Sequence, residues 1–394
     1  MRIATIGGGP GGLFFSILAA QLPRVDEVTV FERSPEGVTY GWGVVFWDEL
    51  LDDLAAADAP TAQAVRDVAF TWHDQVIDVQ GGDPVNLGGH GHSTGRAELR
   101  ELLTARAREV GVDVRFGEEP DAETLASFDV VVGADGVGST VRGAGNFGTT
   151  VTPGCNRYVW LGTSKVFDSF TFPFVESEHG WLWAHAYGYT AGASTFVVET
   201  TAATHAALGL ETMPTADALA LVAELFAGQL DGHALQAPQG TGKTLPWLRF
   251  RTVCNERWHE GNVALLGDAA HTTHFTIGSG TRLALEDSIA LAAEIGRHDT
   301  VPAALAAYGL RRTTEIASLV HEARGSARWF EDVPRHIAHP APDFARLLIN
   351  RRRPIVRRLP GAYLGYGRLR RAAAAAPVAR PARAALHALR GRNG

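Results

Sequence analysis

The stretch Ile3-Ala4-Thr5-Ile6-Gly7-Gly8-Gly9-Pro10-Gly11-Gly12-Leu13-Phe14-Phe15 decides the fold. A short apolar strand runs straight into a glycine cluster and then into an apolar helix from Leu13 to Ala20. The cluster satisfies G-x-G-x-x-G at Gly7, Gly9 and Gly12. Each glycine has its own duty: Gly7 permits a tight turn, Gly9 lets backbone approach a pyrophosphate at the helix N-terminus, and Gly12 lets helix and strand pack closely. Twenty residues beyond Gly12, Glu32 ends a second strand, where a carboxylate can accept ribose hydroxyls. Strand, helix and acid at these spacings predict dinucleotide binding, with Gly7, Gly9, Gly11, Gly12, Glu32 and the adjoining Arg33 at the cofactor.

Working outward, residues 1–150 alternate β-branched runs (Val28 to Phe31, Val130 to Val132) with helical stretches such as Ala97 to Val110, as βαβ construction requires. From 151 to 255 aromatic residues recur at every second position (Tyr158, Trp160; Phe170, Phe172, Phe174; Trp181, Trp183, His185, Tyr187), with a helical insert near Ala216 to Phe226. This period predicts a mostly antiparallel sheet with one face buried, and makes the segment the best candidate for a substrate wall. Residues 256–330 return to a nucleotide-binding texture and then to helices, and 331–394 read as a helical, basic tail that is low in complexity and partly disordered from Ala372 on.

Two further strand-to-turn junctions carry chemistry. Val131-Val132-Gly133-Ala134-Asp135-Gly136 and Val263-Ala264-Leu265-Leu266-Gly267-Asp268 both end a buried run in a glycine and an acid. The second is followed by Gly278-Ser279-Gly280 at a helix start, where free amides can meet an electron-rich ligand. Other signals are set aside. Gly240-Thr241-Gly242-Lys243-Thr244 resembles the end of a phosphate-binding loop, but Ala237 stands where its first glycine belongs and Leu245 to Val253 reads as a strand rather than a helix. His90-x-His92 and His271-x-x-His274 lack the spacing and cysteines of a zinc site, so no metal is expected.

With 394 residues, 45% of them hydrophobic and 20% charged, the chain can bury a large core in two or three domains. Cys155 and Cys254 are its only cysteines, which excludes a disulfide-stapled scaffold and a cysteine-rich metal site. No apolar run reaches eighteen residues and Met1 to Ile6 does not lead into a cleavage pattern, so neither a membrane span nor a signal peptide is expected, and a reducing cytoplasm is the expected home. The net charge of -7 hides an asymmetry: residues 351–394 hold 12 arginines and no Asp or Glu, which leaves the preceding 350 residues at -19. The acidic body argues against nucleic-acid binding. The basic tail admits three readings: a solvated tail, a helix packed on the body, or an arginine cluster gripping a phosphate. Monomer and dimer both stay open.

In their order and spacing, these three glycine motifs resemble the FAD-dependent aromatic hydroxylases of the p-hydroxybenzoate hydroxylase type, the class A flavoprotein monooxygenases, over roughly residues 1–330. The resemblance implies an α/β fold: a Rossmann-like FAD-binding domain with an inserted, mostly antiparallel β-sheet substrate domain and a helical C-terminal region. It implies that the first glycine motif and Glu32 bind the ADP half of FAD. Arg96 of an Arg-x-x-Leu element would touch the pyrophosphate, Asp135-Gly136 would support FAD and NAD(P)H use, and Asp268 would meet the ribityl chain. Where the family has Pro-Pro, this chain has His274-Phe275, and Gly278-Ser279-Gly280-Thr281-Arg282 replaces Gly-Gln-Gly-x-Asn.

Gly41-Trp42-Gly43-Val44-Val45-Phe46, Asn156-Arg157-Tyr158-Val159-Trp160, Glu178-His179-Gly180-Trp181 and His274-Phe275-Thr276-Ile277-Gly278 are similar to salicylyl-CoA 5-hydroxylases and 2-aminobenzoyl-CoA monooxygenases, and the violacein-pathway hydroxylase shares several of them. The implied function is hydroxylation of an electron-rich aromatic ring, most like an aromatic CoA thioester, with FAD resident, NADH or NADPH visiting as transient co-substrate, and O2 consumed. An indole or other ring without CoA, or a flavin oxidase or reductase, remain alternatives. Val44, Gly278 and Gly280 are then expected beside the flavin, and Trp42, Trp183, Tyr187 and Phe275 beside the substrate. His274 and His185 are the catalytic candidates, since imidazole titrates in the useful range. Each also reads as a structural histidine, His274 in a turn and His185 in the sheet core.

Overall fold

The strand Arg2–Ile6, buried from Ile3 onward, lies inside a six-stranded sheet in a computed structural model that describes residues 1–38 and 41–375. The order across the sheet is His259–Glu260, Val263–Leu265, Val130–Gly133, Arg2–Ile6, Glu27–Glu32 and Asp113–Phe116. Every pairing is parallel except the edge pair His259–Glu260 with Val263–Leu265. Ile6 lies opposite both Phe31 and Gly133, and Gly133 opposite Leu265. The register therefore brings the turns at Gly7, Ala134-Asp135 and Gly267-Asp268 out along one carboxyl edge, where open parallel sheets bind ligands.

Two helices, Pro10–Ala20 and Gly280–Arg297, pack against each other beside this edge. Their approach depends on Gly11: a Cβ there would stand 3.2 Å from Ala284 Cβ and Ala284 O of the second helix, and Ser288 Oγ donates to the Gly11 carbonyl at 2.8 Å.

The large sheet has seven strands, ordered Leu235–Gln236, Arg157–Thr163, Ala193–Thr200, Gly180–Thr190, Phe170–Ser177, Gln75–Val79 and Val85–Asn86. Two strands thus come from before residue 151, a boundary the aromatic period did not reveal because Gln75–Val79 joins by a parallel pairing to Phe170–Ser177. The expectation of one buried face is also corrected. Leu182 through Gly188 are buried without interruption, because Leu182, Ala184 and Ala186 meet the helix Thr215–Leu225 while Trp183, His185 and Tyr187 face the other side. Each fully buried aromatic there stabilises the sheet by about 2–3 kcal/mol, which makes the wall a rigid support. Leu245 to Val253 is not one strand: only Arg251–Cys254 is, paired as a ribbon with Thr150–Pro153. A small sheet, Gly43–Phe46, His90–Gly95 and Phe70–His73, lies between the two large ones in the chain's connections.

The helix Val301–Glu331 spans about 46 Å at 1.5 Å per residue and serves both cores. Leu305 and Tyr308 belong to the nucleotide-domain core, where Tyr308 donates to the Leu265 carbonyl at 2.9 Å, while Trp329 and Phe330 pack with Phe174 and Trp183. Four shorter helices follow, Val333–Ile337, Ala341–Ile349, Pro354–Arg358 and Pro360–Ala375. The last contains Ala372 to Ala375, and the disorder expected of the arginine-rich stretch beyond falls outside the described residues. Both cysteines are free thiols, and no helix among the described residues is long and apolar enough to cross a membrane.

Candidate active site

At the glycine cluster the backbone itself forms the site. Gly7 has φ +111, its N–H donates to Phe31 O at 2.8 Å, and a Cβ there would collide with the Ala134 carbonyl. A Cβ on Gly12 would strike the Gly7 carbonyl, whereas one on Gly9 would meet nothing within 4 Å. Gly7 and Gly12 are therefore glycines for packing, and Gly9 for the open space before it. The helix Pro10–Ala20 starts with no side-chain cap, so its first N–H groups face this space. The cleft, about 200 Å³, is bordered by Gly7, Gly9, Glu32, Arg33, Asp135 and Gly136 of the expected cofactor residues. Glu32 is fixed by the N–H groups of Gly8 (2.8 Å) and Ser34 (2.7 Å). Asp135 Oδ2 accepts from Thr140 N at 2.6 Å, leaving buried Oδ1 without a partner. Arg100, missed in the sequence, also borders this cleft.

A second cavity, about 310 Å³, is continuous with the first through Gly9, Pro10, Arg96, Ala134 and Gly136. It is bordered by Gly11, Gly12, Val44, Asp268, Gly278 and Gly280, so the expected cofactor positions converge. Arg96 opens the helix Arg96–Glu109, its N–H held by Trp42 O at 2.7 Å and its guanidinium 5.8 Å from the Trp160 ring. Burial lowers the Arg96 pKa and raises that of Asp268, the latter opposed by His271 and Arg96. Gly278 has φ +64 and a Cβ there would be 2.8 Å from the Trp47 ring. A long ligand with a phosphorylated nucleotide at one end and a flat ring at the other fits this donor set: uncapped amides and glycines at one end, an orphaned carboxylate oxygen midway, aromatic walls at the other. FAD is such a ligand.

The ring-end wall brings together Tyr187, His185 and Phe275, with Tyr158, Trp160, Phe170 and Phe250 beside them. Tyr187 OH donates to the Gly43 carbonyl at 2.8 Å and so pins the loop carrying Val44. Burial raises the pKa of Tyr187 and pushes that of Tyr158 up to about 12, so both phenols stay protonated. His185 is kept neutral by burial; its Nε2 lies 3.8 Å from Glu199 and makes no hydrogen bond.

Three expected site residues stand outside the cavity lining. Trp183 shares the face of His185 and Tyr187, but Phe330 and Phe174 cover it and its Nε1 donates to Glu199 at 2.9 Å. Trp42 packs over Gly162, where a Cβ would be 2.6 Å from its ring. His274 lies behind the lining, between Phe250 (4.5 Å) and Phe275 (4.4 Å), with Nδ1 3.1 Å from Thr276 Oγ1. Burial pushes it down to about 4.

Sequence reasoning missed the buried supports. Asp287, fully enclosed, accepts from Gly267 N (3.1 Å) and Arg312 Nε (2.7 Å) and lies 2.9 Å from His271 Nε2, which fixes the turn that carries Asp268. Arg142 donates to the carbonyls of Ala269 (3.0 Å) and Val137 (2.7 Å) and ties the two acid-bearing turns together. Glu199 accepts from Asn156 (2.8 Å) as well as Trp183. Asp287 follows Glu286 in a helix that also carries Arg282, Glu294 and Arg297, so no local pattern singles it out.

Residues 90–323 match the family described as FAD binding domain. The chain is 39% identical over 350 residues to the salicyloyl-CoA 5-hydroxylase of a Streptomyces species, a match covering 86% of this chain and 66% of that enzyme, so it spans just under two thirds of that relative. It is 34% identical over 346 residues to the 3-hydroxy-4-methyl-anthranilyl-[aryl-carrier protein] 5-monooxygenase of Streptosporangium sibiricum, covering 85% of this chain and 90% of that one. In fold it resembles 2-methyl-3-hydroxypyridine-5-carboxylic acid oxygenase, with a TM-score of 0.66 at 20% identity over 86% of this chain and 91% of the other.

Proposed function

Because this chain belongs to the family of FAD-dependent aromatic monooxygenases, we propose that it hydroxylates an electron-rich aromatic ring presented as an acyl-CoA, most like salicyloyl-CoA giving the 5-hydroxy product. The observation that carries this reading is the aromatic cavity of Tyr158, His185, Tyr187, Phe250 and Phe275, continuous with the glycine cleft. Gly9, Glu32, Asp135, Arg96, Asp268 and Gly280 would hold FAD, which with NADH or NADPH as reductant would supply the activated oxygen from O2. The chain's own part is to place the ring and manage its proton.

The aromatic walls orient the substrate ring edge-on or stacked and exclude water from it. His185 enters the reaction neutral. Its Nε2 faces Glu199, which leaves Nδ1 to accept a proton from a ring hydroxyl, and Glu199 stabilises the imidazolium so formed. Phe275 holds one wall, supported from behind by His274. The phenols of Tyr158 and Tyr187 remain donors throughout.

Turnover of salicyloyl-CoA under isotopically labelled O2 tests the reading: one labelled oxygen is expected in the product, and NAD(P)H oxidation without labelled product contradicts it. A second reading, an aryl thioester held on a carrier protein, is favoured by the similarity to the anthranilyl-carrier monooxygenase. Faster turnover of the carrier-bound acid than of its CoA thioester would select it.

A further inference from the structure

A third concavity, of about 180 Å³, lies between the helix Val301–Glu331 and the segment that follows Asn350. It is lined by seven arginines and His321, with no carboxylate among its lining residues. Glu322 pairs with Arg352 at 3.1 Å, and Arg324 donates to Cys254 Sγ at 2.6 Å. Arg328, Arg353, Arg357 and Arg358 form no ion pair among the described residues. Like charges gathered around one concavity repel one another, and among the described residues only Glu322, at Arg352, offsets that cost through an ion pair. An anionic ligand would offset the rest.

Arg351 connects this concavity to the candidate active site. Its side chain is buried and donates to Thr276 O (2.6 Å), Ser326 Oγ (2.8 Å) and Leu348 O (2.8 Å). Thr276 belongs to the turn Phe275–Ile277, whose Phe275 borders the ring-end cavity. Seating of the segment is close: a Cβ on Gly325 would be 3.1 Å from Arg352 O. The arginine concavity therefore backs directly onto the turn that lines the ring-end cavity.

We infer that this arginine-lined concavity binds the phosphorylated adenosine end of the CoA thioester, with Arg353, Arg357, Arg358 and Arg328 on its phosphates. The inference rests on the acyl-CoA reading above and adds a site to it. CoA carries a pyrophosphate and a ribose 3′-phosphate, and arginine meets phosphate oxygens in bidentate pairs that lysine cannot form. The concavity holds several such forks and no lysine.

The test compares aromatic acyl-CoA with the same acid on pantetheine, which lacks these phosphates, in native protein and in Arg353→Glu/Arg357→Glu. Native protein should favour the CoA thioester in kcat/KM by about tenfold or more, and the variant should reduce that preference to within about twofold. Adenosine 3′,5′-bisphosphate should compete with the CoA thioester, and less so as salt rises; a carrier-bound substrate, which has no adenosine, would not be displaced this way. If the charge reversal impairs folding, Arg353→Ala/Arg357→Ala gives the same comparison with a smaller shift. Equal use of both thioesters by native protein, with labelled product still formed, overturns the concavity and leaves the proposed function standing. If no thioester is hydroxylated the proposed function fails by itself, and direct binding of adenosine 3′,5′-bisphosphate decides the concavity: binding lost in the variant supports it, and no binding to native protein overturns it.

Discussion

The two ends of the central cleft are built by different means. At the nucleotide end the backbone forms the site: Gly7 turns at positive φ, Gly12 makes room for a neighbouring carbonyl, and Gly9 opens the space in front of an uncapped helix. At the ring end side chains form it, drawn from Val44, Tyr158, His185, Phe250 and Phe275, which lie on separate segments of the chain. A backbone-built site depends on a few glycines, of which Gly7 and Gly12 have no room for a side chain. A side-chain-built site depends on packing and can be altered without losing the cofactor.

Substitution at Gly12 should give the largest effect. Gly12→Val places branched carbon against the backbone carbonyl of Gly7, which has no rotamer by which to move aside. The purified protein should lose its flavin absorbance, with FAD affinity down by about a hundredfold or more. Full retention of flavin would end the distinction between the two regions. His185→Phe attacks the other end. FAD should remain bound while hydroxylation falls by about a hundredfold, the range of a lost general base. Product formed per NAD(P)H consumed reads it directly, and unchanged coupling would remove His185 from the proton path.

His274→Ala should have a milder result, since His274 supports Phe275 and Thr276 from behind the lining. FAD is retained, coupling drops about threefold, and His274→Asn, which can still accept from Thr276, restores most of it. Unchanged coupled turnover in the alanine variant would leave His274 no role in the chemistry.

The smallest effect at neutral pH concerns stability. Burial pushes both His274 and His336 down to about 4. Each is neutral in the fold and protonates near 6.5 when unfolded, so the stability it contributes is complete above pH 6.5 and is lost as pH falls toward 4, by about 3 kcal/mol each at most. His336 stacks flat on Trp329 at 4.8 Å, so His336→Phe should keep the packing and flatten the acid limb of a denaturation-versus-pH curve by one proton. An unchanged slope would contradict the assignment.

The same difference in construction explains what the sequence made legible. Gly7, Gly9, Gly12, Glu32, Asp135 and Asp268 were readable because each ends or follows a strand in a local pattern that only a few conformations satisfy. No local rule separates Tyr187, which borders the cavity, from Trp183, on the same strand and the same face; the outcome depends on Phe330, more than a hundred residues later, which covers Trp183. Period two was visible in the large sheet, yet it could not show that helices would bury both faces or that Gln75–Val79 would join the edge. Asp287, Arg312 and Arg142 act through the turns they hold and carry no motif of their own.

The most direct test of the central claim is stopped-flow reduction of the flavin-containing protein by NADH and NADPH, with and without salicyloyl-CoA, anthraniloyl-CoA and the corresponding free acids. A thioester should accelerate flavin reduction, and its free acid should not. Reduction at one rate in every case, with the thioesters and acids alike ineffective, would contradict the acyl-CoA hydroxylase reading.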